Sequence, residues 1–455
     1  METWVKAALG YIPRWLDYQM RRTEQPGCAI AVAHKGRVVL EQAFGYADST
    51  KKRALTPRHR FRVASHSKSF TAAGLLKLRQ QDRLRLDDPV GRYVENLHPA
   101  LAEATIGQLL SHSAGVIRDG FDAGQWQDRR PFASEQELRA ALAEPPVLGT
   151  NERFKYSNHG FGLLGLVIES VTGEAYKDWI AREIVARAKL EQTYPDAPLP
   201  RRVPFVRGHS GKLPLGRRVV VPGDNETRAL APATGFISTA GDLARFFGSL
   251  DPAAWRSLLR PASRREMTRP HWRDSQDNAQ SYQGLGIMGG KLGNWSWFGH
   301  GGGFQSCLSR TVVLPGRDLS VSVLTNAVDG LAHAWTDGVI RILQGFAKRG
   351  APLARTASWA GRWWSLWGTL DLVPMRDHVL VASPGQFNPF FEADEIEVTG
   401  RDKGRIRLAG GYGSHGEAAR LLRNKRGTPR EFWLGGIQFF PEARLAAEMK
   451  RKYGP

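Results

Sequence analysis

Strand-like sequence stands at both ends of the first two-thirds of this 455-residue chain, with helical sequence between. From Cys28, CAIAVAHK and RVVLEQAFGYA read as two strands joined at a Lys35-Gly36 turn. Strands return near Tyr282, and SRTVVLPGRDLSVSVLTN makes a second hairpin turning at Pro315-Gly316-Arg317-Asp318. Between them, FRVASHSKSFTAAGLLKLRQQ spaces Phe70, Ala73, Leu75, Leu76 and Leu78 as a buried helix. TIGQLLSHSAG and HGFGLLGLVIESVTG are helical as well, with Gly115 and Gly173 as C-terminal caps, and Thr239 caps the helix in GFISTAGDLARFFGSL. A helix from Trp335 to Phe346 closes the section. Hairpins need partners, so the strands of the two ends are expected to share one antiparallel sheet in an α+β domain.

The texture changes after AKRGAPLARTAS. WWSLWGTLDLV, HVLVA, EIEVTG, RIRLAGG and EFWLGGIQFF are short strands divided by turns, the pattern of a small antiparallel barrel with Trp363, Trp364, Trp367 and Trp433 in its core. The expected domains are 1–350 and 351–455. At the N-terminus, Trp4, Ala8, Ile12, Trp15 and Leu16 form one face of a docked first helix, and there is no signal-peptide pattern.

Composition excludes several classes. With 42% apolar residues and no apolar run near the ~18 needed to span a bilayer, the chain reads as an ordinary folded protein with no membrane partner. Its two cysteines, Cys28 and Cys307, sit in apolar strands and read as small buried hydrophobes. With no CxxC, no structural metal is expected, and the setting read from the sequence is cytoplasmic. The net charge of +20 is spread among acids, and the densest basic run, Arg201 to Arg218, reads as a solvated loop rather than a nucleic-acid surface.

Three short patterns could carry chemistry. Ser65-His66-Ser67-Lys68 is S-x-x-K on the first turn of a helix, which puts the lysine beside the serine hydroxyl and free backbone N–H groups behind it. Taken alone, Ser65 also reads as a helix cap, and Ser49-Thr50-Lys51-Lys52 matches the same pattern in a polar turn. Tyr156-Ser157-Asn158 would aim a phenol and an amide into one cleft, or be an ordinary turn before a helix. His300-Gly301-Gly302-Gly303 opens a strand edge to a substrate backbone. Gly284-Leu285-Gly286-Ile287-Met288-Gly289 has the spacing of a dinucleotide loop but no helix after it. RDGFDAGQWQDRRPF, with Phe121, Trp126 and Phe132, is expected to overhang the cleft.

The ordered set, with FRVASHSKSFTAAGLLKL, FKYSNHGFGLLGLVIESVTG and FGHGGGFQSCLSRTVVLP around it, resembles the serine β-lactamase/penicillin-binding-protein superfamily over residues 20–345. Within that superfamily it is most similar to the class C β-lactamase-related, CubicO-type hydrolases. The resemblance implies an α+β catalytic domain followed by a lipocalin-like barrel, with no cofactor. It implies Ser65 as acylated nucleophile, Lys68 as its base and Tyr156 as proton relay. His300 would stand in place of the lysine of K-[TS]-G. Oxyanion and substrate contacts would come from Ser65, Gly303, Gly302 and Asn158. A histidine at position 300 is similar to D-aminopeptidases and esterase-like members. The implied activity is therefore a peptidase or amidase of the D-aminopeptidase type, with a carboxylesterase of weak β-lactamase activity or a catalytically silent sensor as alternatives. The implied partner is a small molecule or short peptide; the sequence does not give an oligomeric state, and a barrel that docks across subunits would make a homo-oligomer. In such relatives a barrel loop can enter the cleft, and the candidate here is the loop at 411–417, which is either a gate acting through Ser414, His415 and Glu417 or an exposed hairpin.

Overall fold

The computed structural model describes residues 1–273, 281–411 and 413–454. Its contacts divide the chain into two compact units, Gln25–Thr336 and Met1–Glu24 with Asp337–Pro455. The first helix therefore groups with the C-terminal residues, and the division falls inside the helix Ala332–Arg349.

In the unit Gln25–Thr336 the strands of both ends do share one sheet. In chain order they are β1 (Gly27–His34), β2 (Arg37–Asp48), β3 (Arg53–Ala54), β4 (Tyr282–Gln283), β5 (Met288–Leu292), β6 (Trp295–Phe304), β7 (Cys307–Leu314) and β8 (Leu319–Thr325). Their spatial order is β3-β2-β1-β8-β7-β6-β5-β4, antiparallel throughout. Lys35 and Gly36, both at positive φ, make the tight β1–β2 turn that matches strand twist. The two ends meet at the centre, where β1 and β8 pair from Cys28↔Thr325 to His34↔Leu319.

Of the helices Ser67–Gln80, Asn158–Thr172 and Ala240–Ser249, the last packs directly on β1, β2, β7 and β8, the first two pack on each other, and a single core of buried Leu, Phe, Ala and Val joins helices and sheet. Thr239 caps the last of these helices by accepting from the Asp242 N–H, and Gly173 ends the second in the left-handed region. The helix at TIGQLL is shorter than its apolar spacing suggests. It stops at Leu110, and Gly115 lies beyond it in a turn whose carbonyl accepts from Val147 and Leu148. The glycine-rich stretch 284–289 leads into β5, with no helix behind it. Cys28 and Cys307 are buried and unpaired, and burial pushes the Cys307 thiol up to about 12.

The other unit holds eight strands in sequential order, Gly361–Ser365 (β9), Gly368–Met375 (β10), His378–Ala382 (β11), Asp394–Val398 (β12), Lys403–Leu408 (β13), Ala418–Arg423 (β14), Pro429–Leu434 (β15) and Ile437–Phe439 (β16). Trp364 and Phe440 exchange backbone hydrogen bonds at 2.8 Å, which nearly closes the barrel. Trp363 is in its core, but Trp364 and Trp433 are half-buried and Trp367 is 94% exposed. The helix Thr3–Thr23 buries Ala8, Ile12, Trp15 and Leu16, and its Tyr11 donates to Asp371 on β10 at 3.0 Å. Among the described residues, no helix is long and apolar enough to cross a membrane.

Candidate active site

A short strand, Phe61–Arg62, pairs with Ile237–Ser238 and delivers the chain to Ala64–His66. Those three residues form a single 3-10 turn ahead of the helix Ser67–Gln80, so Ser65 lies just outside the α-helix in which its spacing placed it. Lys68 Nζ is 3.3 Å from Ser65 Oγ. Ala64 enters the turn at φ +45°, a conformation that costs a non-glycine residue roughly 1–3 kcal/mol. The surroundings hold it there: Ser67 Oγ donates to the Ala64 carbonyl at 2.6 Å and accepts from the Phe236 N–H at 2.9 Å. From Phe61 to Phe70 only Ser65 escapes burial, so its hydroxyl is the part a substrate can reach.

Lys68 is fully buried. Desolvation pulls its ammonium well below the ordinary lysine range, the Asp119 carboxylate opposes that and Arg118 adds to it. A neutral amine has two hydrogens and one lone pair. Two acceptors are fixed around Nζ, Asn158 Oδ1 at 2.7 Å and the Ala233 carbonyl at 2.9 Å. With both hydrogens committed, the lone pair is left for the Ser65 hydroxyl.

Tyr156 and Asn158 reach the same place because Ser157 between them is extended (φ −140°, ψ 125°). Ser157 turns the other way, and its Oγ caps the helix Asn158–Thr172 by accepting from the Gly160 N–H at 2.8 Å. Tyr156 Oη donates to Ser65 Oγ at 2.7 Å, and burial pushes the phenol up to about 12. The ring lies 4.7 Å from Lys68 Nζ and 4.3 Å from the His112 ring.

His300 is buried on β6, its Nδ1 2.6 Å from the Gly301 carbonyl. Desolvation, then His66 and Lys68, hold it well below the usual imidazole range, so the ring is neutral, with Nδ1–H donating and Nε2 free to accept. Gly302 has no room for a side chain, since a Cβ there would lie 2.1 Å from the Val63 carbonyl. What demands glycine is the approach of β6 to the segment entering Ser65. At Gly303 the nearest neighbour of such a Cβ is 3.3 Å away.

The sequence reading missed Asp119, His112 and the Ala233 carbonyl. Asp119 and Trp126 lie in the segment expected to overhang the cleft, which is only partly exposed: Phe121 is exposed, but Phe132 is buried and stacks on Phe304 at 5.6 Å. Ser49 sits in a polar turn whose next two N–H groups donate to Asp48. Ser414, His415 and Glu417 lie in the other unit, between β13 and β14, where Ser414 and Glu417 pack against Gly435. Tyr412 of that loop lies outside the described residues. No three His, Cys, Asp or Glu side chains gather as a metal cluster among the described residues.

The buried Lys68 and the partly exposed Ser65 and Tyr156 thus meet at the foot of a helix, beside an antiparallel sheet. The beta-lactamase family model matches residues 12–342, and the chain belongs to that family. Protein flp of Staphylococcus aureus (strain MW2) is 30% identical over 184 residues, 39% of this chain and 36% of that protein, so the match spans little more than a third of the relative's length. The octameric penicillin-binding protein homologue from Pyrococcus abyssi has the same fold, with TM-score 0.65 and 22% identity over 95% of this chain and 99% of that one. The D-stereospecific amidohydrolase from Streptomyces sp. superposes with TM-score 0.59 and 26% identity, over 70% of this chain and 94% of that one.

Proposed function

We propose that this chain is an amidase or peptidase of the D-aminopeptidase type that works through an acyl-enzyme on Ser65. The observation that carries the reading is the buried Lys68 Nζ 3.3 Å from Ser65 Oγ, with Asn158 Oδ1 and the Ala233 carbonyl as its other two partners, an arrangement in which a neutral amine spends its two hydrogens on those oxygens and turns its lone pair to the serine. Ser65 Oγ attacks the substrate carbonyl while its proton passes to Lys68 Nζ. The N–H groups of Ser65 and Gly303 receive the oxyanion. Tyr156 gives its proton to the leaving amine and recovers one from Lys68 as the C–N bond breaks. Water then releases the acyl group by the reverse path. Asn158 touches the acyl side chain, and the neutral His300 can accept a substrate N–H but offers no fixed cation for a β-lactam carboxylate. Amide chemistry on D-residues is favoured by the amidohydrolase relative, and the same reading includes a homo-oligomer, as one neighbour is described as octameric.

The test compares the protein with its Ser65→Ala variant on a p-nitrophenyl ester, the p-nitroanilides of D- and L-alanine and a chromogenic cephalosporin. The D-anilide is expected to be cleaved, the cephalosporin is not, and Ser65→Ala falls to background. Cleavage of the ester alone makes the protein an esterase, and no turnover at all makes it a binding protein.

A further inference from the structure

An asparagine amide is nearly symmetric in shape but opposite in chemistry at its two ends, so something must decide which end meets Lys68. With Oδ1 toward Nζ, the amide takes a lysine hydrogen and leaves the lone pair to Ser65. Turned over, Nδ2 would press its own hydrogens on Nζ and draw that lone pair away from the serine.

The decision is made behind Asn158. Asp119 Oδ1, which can only accept, receives Asn158 Nδ2 at 2.6 Å and Trp126 Nε1 at 3.0 Å. Arg118 Nε lies 3.0 Å from the other oxygen of the same carboxylate. The backbone is held as firmly, since the Arg118 carbonyl accepts from the N–H groups of Asn158 and His159 at 2.9 and 3.2 Å. A flipped amide would set its carbonyl oxygen against a carboxylate oxygen, with no proton between them. We infer that Asp119 is a positioning residue, which fixes the amide of Asn158 and through it aims the Lys68 lone pair at Ser65. The inference rests on the proposed roles of Ser65 and Lys68.

The titratable and charged groups around Lys68 come from several elements: Arg118 and Asp119 from the segment behind Asn158, Tyr156 ahead of its helix, His112 from the turn after Leu110, and His300 from β6. Of these, the Asp119 carboxylate is the one that favours the ammonium, so removing its charge lowers the Lys68 pKa and moves the rise of activity to lower pH.

Two variants separate charge from aim. In the full chain, with acyl release from p-nitrophenyl acetate followed against pH, Asp119→Ala is expected to lower the alkaline plateau of kcat about 10–100-fold at unchanged KM. Asp119→Asn keeps an acceptor for Asn158 and is expected to keep the plateau, with its rise moved to lower pH. Because Asp119 acts through Asn158, Asp119→Ala placed on Asn158→Ala should cost almost nothing further. Losses that multiply in the double variant, or an Asp119→Ala plateau equal to the parent's, overturn the inference. Acyl release that survives in Ser65→Ala instead overturns the functional reading on which it rests.

Discussion

Replacing Lys68 by methionine is expected to slow acylation of Ser65 about 10²–10⁴-fold, the range that a positioned general base contributes. Methionine fills the buried volume without the amine, so thermal melting should report a folded protein. The cost falls on the Asn158 and Ala233 oxygens, which lose their donor. Lys68→Arg should be as slow, because a guanidinium keeps its proton and has no lone pair to offer. The parent's pH profile carries the same signature. Only the neutral amine accepts a proton, so activity rises with pH through the Lys68 pKa, which burial holds well below the ordinary lysine range. Tyr156 keeps its proton to about 12, so no fall is expected near pH 10. The neighbouring imidazoles do not titrate near neutrality: His66 is pulled down to about 3, His333 to about 4, and His112 and His300 well below their usual range, in each case mainly by burial. A flat profile from mildly acid to alkaline pH, in place of that rise, would exclude Lys68 as the base.

The parts of this site that could be read from the sequence are those held by short-range geometry. Ser65 and Lys68 are three residues apart on one turn, and Tyr156 and Asn158 flank one extended residue, so spacing alone aims each pair. The hairpins were equally legible at their turns, Lys35-Gly36 and Pro315–Asp318, and the second keeps one register throughout, whereas a bulge between Val32 and Ala33 shifts that of the first. Asp119 was not, because its contact with Asn158 spans 39 residues of chain and depends on how an irregular segment folds back. The Ala233 acceptor is a backbone carbonyl, for which no residue type is a signal. Gly302 was visible as a glycine, but its cause, the Val63 carbonyl 2.1 Å from where a Cβ would sit, belongs to tertiary packing. In the barrel, Trp363 and Trp367 share strand parity, yet β9 ends at Ser365 and parity ends with it, so Trp367 projects from the turn.

Asp196→Ala should be the most damaging single change to the unit Gln25–Thr336. Asp196 and Arg62 are both fully buried and meet at 3.1 Å. Arg62 also donates from Nε to the Gly223 carbonyl at 3.0 Å, from Nη1 to that of Gly235 at 2.8 Å, and from Nη2 to that of Asn225, with its guanidinium face 4.7 Å from the Phe304 ring. Asp196 accepts the Thr227 N–H as well. One cation thus ties three loop carbonyls and an aromatic ring to the strand that runs into Ser65. Removing the carboxylate leaves that cation buried with no counter-charge, a loss of about 3–5 kcal/mol, or a fall in Tm of about 5–15 °C. Arg62→Met with Asp196→Leu removes both charges at once and should recover part of the loss. Recovery stays incomplete, because the carbonyls of Gly223, Gly235 and Asn225 still lack a donor. A melting temperature for Asp196→Ala within about 1 °C of the parent would show that the pair contributes little. Because Arg62 lies three residues before Ser65, the same variant should also lower kcat well below its own melting transition, through a loosened turn at Ala64.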